Sequence, residues 1–177
     1  LFFQEQTGER RRSPSRNSWS NKMQRQPSRN RSRRPTRSRN GGGTRRLTVD
    51  EAFIALFIGA MEANQHVSRE EAERAHHIIW SMKRYRHKSG ETVDRLIDVM
   101  RRVVETRGAS ATVDIAARAL PSRLRPAAFA LSADLVLADG KIERAERRFL
   151  GQLAEAFGLD PQSRDRLIEA MLIKNSA

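Results

Sequence analysis

A chain of 177 residues, 38% of them apolar, supports one modest core with extensions and not two independent cores. With no cysteine, a disulfide framework, a thiolate metal site and a thiol nucleophile are all excluded, which suits a reducing compartment. The 34 basic against 21 acidic residues are unevenly placed: residues 1–46 hold 13 Arg and one Lys against Glu5 and Glu9, a net +12 of the chain's +13. Any reading of partners from charge is a reading of that leader alone.

Residues 1–46 are predicted to be a disordered arm. Arg, Ser, Asn, Gln and Pro dominate, Pro14, Pro27 and Pro35 interrupt any helix, and no apolar periodicity emerges. Its basic centre, PSRNRSRRPTRSRN at 27–40, offers Arg29, Arg31, Arg33, Arg34, Arg37 and Arg39 to nucleic-acid phosphates. Such contacts release counterions and weaken with salt. Trp19 is the base-stacking candidate, so the arm would respond to charge and not to sequence. The blander reading is a solvated extension. Gly41, Gly42 and Gly43 then make a flexible joint.

The folded part is predicted over 47–177 as seven helices. Thr48 and Glu51 form a capping box ahead of AFIALFIGAM, 52–61, a run hydrophobic on nearly every face and well short of the roughly 20 residues that span a bilayer. A second box, Ser68 with Glu71, opens a helix carrying Ala72, Ala75, Ile78, Ile79 and Met82 on one stripe. Val93, Leu96, Ile97, Met100, Val103 and Val104 mark a third, closed by Gly108. The fourth is expected from about Ala111 to Leu120, and the fifth from Pro126 to a corner at Asp139. Ile142, Ala145, Phe149, Leu153 and Phe157 mark the sixth, stopped by Gly158, and Asp160 followed by Pro161 starts the seventh. No stretch alternates as a strand would, so the fold class is all-α.

An internal repeat organises these helices. Shifted by 75, Ala52, Ala55, Leu56, Ala63, Arg69 and Glu71 fall on Ala127, Ala130, Leu131, Ala138, Arg144 and Glu146. Two helix hairpins are echoed, each with an apolar face it cannot bury alone, so they are expected to pack together with the third and fourth helices as the link.

The corner ADGKIERAE, 138–146, is the constellation nearest to chemistry. Asp139, Gly140, Ile142 and Glu146 match the second half of a calcium loop, but Leu135 and Leu137 stand at its first two ligand positions and cannot bind a hard cation. The bland reading has Asp139 capping the sixth helix while Glu146 satisfies loop amides. In the other repeat the corner is Asn64, Gln65, Val67 and Glu71, with Glu62 nearby. LPSRLRPAAFALSADLVLADGKIERAERRFLGQLAEAFGLD, 120–160, resembles the C-terminal half of the small bacterial TerB-like proteins of tellurite resistance, and 48–177 can be laid on that family with few gaps. The resemblance implies paired helical halves, a tellurite and stress association, and acidic corners proposed to bind metal. On this chain that metal site would be Asp139, Glu146 and Glu71, with calcium or magnesium as the ion, although Asn64 removes one carboxylate. TerB-like domains also occur beside co-chaperone J domains, which implies protein contact as the shared property.

Glu73 and His77 sit four apart, but no third ligand accompanies them, and His66, His76 and His87 are expected in polar surroundings. No Ser-His-Asp order, phosphate loop or HExxH is present. The resulting expectation is a cytoplasmic, non-catalytic interaction module with an unidentified protein partner. Nucleic-acid association through the arm is the alternative.

Overall fold

The first helix begins where a side chain and a backbone exchange hydrogen bonds. The Thr48 N–H donates to Glu51 Oε2 at 2.8 Å, and the Glu51 N–H donates to Thr48 Oγ1 at 3.2 Å. Two of the donors that every helix start leaves unpaired are thereby satisfied. The computed structural model describes residues 46–62, 69–138 and 142–176, without the side chains of Glu70 and Glu71. The expected arm, except Arg46, therefore lies outside the described residues, as does Ser68 of the second capping box.

Seven α-helices follow one another: α1 Val49–Glu62, α2 Arg69–Ser81, α3 Gly90–Arg107, α4 Ala109–Ala119, α5 Arg125–Val136, α6 Arg144–Phe157 and α7 Pro161–Asn175. A 3-10 turn, Ser122–Leu124, precedes α5. No strand occurs among the described residues. Helix α1 is the hub: every residue from Glu51 to Met61 is buried, and α2, α3, α4 and α5 all pack on it. In the second half α5 plays the matching part, touching α1, α2, α6 and α7.

The 75-residue shift lays α1 on α5 and α2 on α6, and it carries α3 into the range of α7. The contacts repeat likewise, α1 with α2 and α3, α5 with α6 and α7. The halves are therefore three-helix units. Of the two helices expected as the link, only α4 is the insert; it is wedged between α1 and α6.

The starts of α4 and α6 differ from expectation. Helix α4 starts at Ala109, two residues early, because Gly108 serves both helices. Its N–H closes α3 on the Val104 carbonyl at 2.7 Å, and its own carbonyl accepts from the Thr112 hydroxyl at 2.8 Å. Gly108 does this at φ 81°, a conformation glycine adopts without steric cost. Helix α6 starts at Arg144, with Glu143 as its extended N-cap; Ile142 packs on the core from outside the helix.

Two further helix starts are capped by side chains. Ser89 accepts from the Thr92 N–H, and Asp160 accepts from the Ser163 N–H at 2.9 Å ahead of Pro161. Arg125 donates to the carbonyls of Leu120 and Ala117 at 3.3 and 3.2 Å and reaches Phe157 O at 3.5 Å. One guanidinium thus serves carbonyls at the ends of both α4 and α6.

Candidate functional site

The corner between α5 and α6 is held from below by an ion pair and from above by a cap. Asp134, on the last full turn of α5, is only 6% exposed. Lys174 Nζ lies 2.9 and 3.0 Å from its two carboxylate oxygens, and Arg74 Nε lies 3.8 Å from it. Helices α2, α5 and α7 therefore meet on one buried carboxylate. Next to it, Asn175 Nδ2 donates to the carbonyls of Asp134 and Leu137 at 3.3 and 3.1 Å. The last turn of α7 thereby closes the C-terminal end of α5. A burial this deep for an aspartate requires such pairing.

Glu146 is 3% exposed, and its Oε2 accepts the N–H of Glu143 at 2.7 Å. Its expected work on the loop backbone is what the geometry shows. The N-cap position of α6 is Glu143, whose backbone is extended, and not Asp139. Asp139 lies outside the described residues, and so does the Glu71 side chain. The structure therefore places one of the three candidate acids. Arg29, Arg31, Arg33, Arg34, Arg37 and Arg39 are likewise outside the description.

Leu135 and Leu137, at the first ligand positions of the calcium-like loop, are fully buried. No three His, Cys, Asp or Glu side chains lie close enough to share a metal ion among the described residues. The described part of the corner does not by itself compose a hard-cation site.

At the corresponding end of α1, Glu62 is half-buried. Burial pushes its carboxyl up, Glu105 on α3 pushes it further, and Arg101 pulls it back. A second charged group surrounds the start of α1. Asp50 lies 2.7 Å from Arg84 and 3.0 Å from Lys88. Burial raises its carboxyl, but hydrogen bonds and charge from those two cations hold it below the usual value. Between them in sequence, Tyr85 is fully buried and donates to the Asp50 carbonyl at 2.7 Å.

The histidines divide by environment. His76 is half-buried, with its ring 6.3 Å from the Trp80 indole and 5.9 Å from the His77 ring. His87 accepts from Arg86 at 3.1 Å, and Glu73 pairs with Arg69 at 3.0 Å. Sequence reasoning missed Asp134 and Tyr85. A lone acid inside the apolar stretch ALSADLVLA was a signal for the first; the second sits in a turn, where no periodicity marks it.

No helix among the described residues is long and apolar enough to cross a membrane. The sequence model of the family described as Tellurite resistance protein TerB matches residues 50–169. No curated protein and no solved structure matches the chain.

Proposed function

Because the chain belongs to the TerB family, we propose that it is a non-catalytic helical module that serves tellurite and related stress responses by holding another protein. One observation carries the reading. Helix α7 has no fully buried residue, and it leaves Leu172 40% and Ile173 66% exposed. Its last turn is fixed to the core by Lys174 and Asn175 through polar contacts. Exposed aliphatic side chains on a rigidly held outer helix suit protein contact better than solvent.

Buried carboxylates support the same reading, because the partners described for them are structural. Glu51 caps α1, Asp134 ties three helices, and Glu146 holds the α6 start. The test is Ile173→Asp in the native gene. Tellurite tolerance should fall toward that of the deletion while the melting temperature of the purified protein is unchanged. Full tolerance in that strain would sink the reading.

Calcium or magnesium at Asp139, Glu146 and Glu71 is a separate proposal, resting on the acidic corners of the family. A cation held there raises the melting temperature with concentration, as mass action requires, and Asp139→Asn removes the rise. A melting temperature that ignores both ions would dispose of it.

A further inference from the structure

Between α6 and α7 runs an apolar groove of about 450 Å³. Ile142, Leu150, Ile168 and Leu172 supply its aliphatic lining, Gly151 lies in the α6 wall, and Arg147 stands in the same wall. Arg164 and Asp165 also line it, but they pair with each other at 2.7 Å. Arg147 is therefore the one lining charge without a described partner. Arg144 and Arg148 flank it on the same helix. Among the described residues, none of these three arginines has an ion-pair partner. The exposed acids Glu155 and Glu169 do not line the groove.

Two features of this wall work against the helix that carries them. Gly151 lies in the middle of α6 with helical backbone angles, so no left-handed turn requires it, and a Cβ there would meet nothing within 4 Å. A glycine in such a place lowers helix stability with no packing return inside the chain. Three arginines in the first turns of α6 likewise face the positive end of the helix dipole. Both features make sense if another backbone lies close over Gly151 and brings negative charge to the arginines. The arm of this chain, at +12, has the wrong sign for that place.

We propose that the groove between α6 and α7 is the docking site of an acidic amphipathic helix from another protein, with its apolar stripe on Leu150, Ile168 and Leu172 and its carboxylates on Arg144, Arg147 and Arg148. This deepens the interaction reading and rests on it. A helix laid in such a groove is anchored by residues one turn apart, and its acids fix the direction in which it lies. Gly151 is the point of closest approach.

The test uses the full chain and two synthetic amphipathic helices that share one leucine stripe, one with glutamate and one with lysine on the polar face, followed by fluorescence anisotropy. The glutamate peptide binds saturably and the lysine peptide does not. Gly151→Leu fills the groove while favouring the helix, so it keeps the fold by circular dichroism and weakens the glutamate peptide by roughly tenfold or more. Arg147→Glu weakens it similarly. The arm also attracts the acidic peptide, but that attraction is indifferent to Gly151, so an affinity unchanged in Gly151→Leu overturns the proposal. Equal binding of the lysine peptide overturns it too, as does a dimer in sedimentation that Gly151→Leu dissociates, which would make the occupant a second copy. If the peptide arm fails while Ile173→Asp still abolishes tolerance, the groove falls and the interaction function stands. If Gly151→Leu behaves as expected and Ile173→Asp leaves tolerance intact, the groove stands and that function falls.

Discussion

Tyr85, the bulkiest of the fully buried side chains, comes from a turn and not from a helix. Burial pushes its hydroxyl far above the ordinary tyrosine value, the Asp50 charge adds to this, and Arg84 opposes it. A raised folded value means that the neutral hydroxyl stabilises the fold fully below about pH 10, and that this stability is lost as pH rises further. Tyr85 is the only tyrosine in the chain, so tyrosinate absorbance reports on it alone. We expect no absorbance change in the folded protein near pH 10 and a single step that coincides with loss of helix signal at higher pH. Smooth titration near 10 with the helices intact would contradict the burial argument. Tyr85→Phe, which removes the bond to Asp50, should cost about 1 kcal/mol in urea unfolding. Glu62 is raised in the same direction, but its window lies at acidic pH. Its raised value means that the contribution of its protonated form is fully present below about pH 4 and is lost as pH rises through the folded value. Glu62→Gln should therefore raise the melting temperature at pH 7, with the gain vanishing near pH 4; an equal gain at both values would rule out titration as the cause.

Among the helices, α1 shows what periodicity can and cannot reveal. Its uniform hydrophobicity marked it as central, and the structure buries it on all sides. Gly59, in its middle, has room for one more methyl: a Cβ there would lie 3.6 Å from Phe149 Cε2 and 3.9 Å from Ala109 Cβ. Gly59→Ala should stabilise the protein by up to about 1 kcal/mol, since it adds a packed methyl and removes the backbone freedom of glycine. A loss of stability in urea unfolding would mean that α4 and α6 have no latitude at that point. The seven helices are legible because their apolar stripes, Asp160, Pro161, Gly108 and Thr48 are local signals. Glu143 as a cap, and Gly108 serving two helices at once, are not legible, because each depends on where the chain goes next. The same holds for the candidate site. Glu146 was legible as a first-turn acid, whereas Asp134 meets Lys174 forty residues on, a distance no spacing rule covers.

For the molecule as a whole, charge and core are separated along the chain. The capping boxes and apolar stripes all lie beyond Gly43, while nearly all of the net charge lies before Leu47. Limited proteolysis should therefore trim the protein to a resistant core beginning near Gly43, with the unfolding midpoint of 48–177 matching that of the full chain. Protection of residues 20–40 would show that the arm docks. Nucleic-acid binding, the rival function, belongs to the arm under the same logic. It should be indifferent to sequence, should fall with salt at a slope of ~0.9 per phosphate contact on duplex DNA, and should survive in the arm peptide. Binding by 48–177 alone would assign it to the helices instead.

The burial of α1 also has a consequence during synthesis. Its apolar run is the first part of the fold to leave the ribosome, yet its cover comes from α3, α4 and α5, and Gly59 waits for Phe149 on α6. At about 5–20 residues per second, the residues needed to close the core arrive on the order of 3–20 s later. Through that interval the nascent chain presents AFIALFIGAM uncovered, behind an arm that is itself strongly charged. The nascent chain thereby passes through a stage in which its most apolar helix is open to chaperones and to other chains, and its folding yield should depend on how soon α4 and α5 follow α1 out of the exit tunnel.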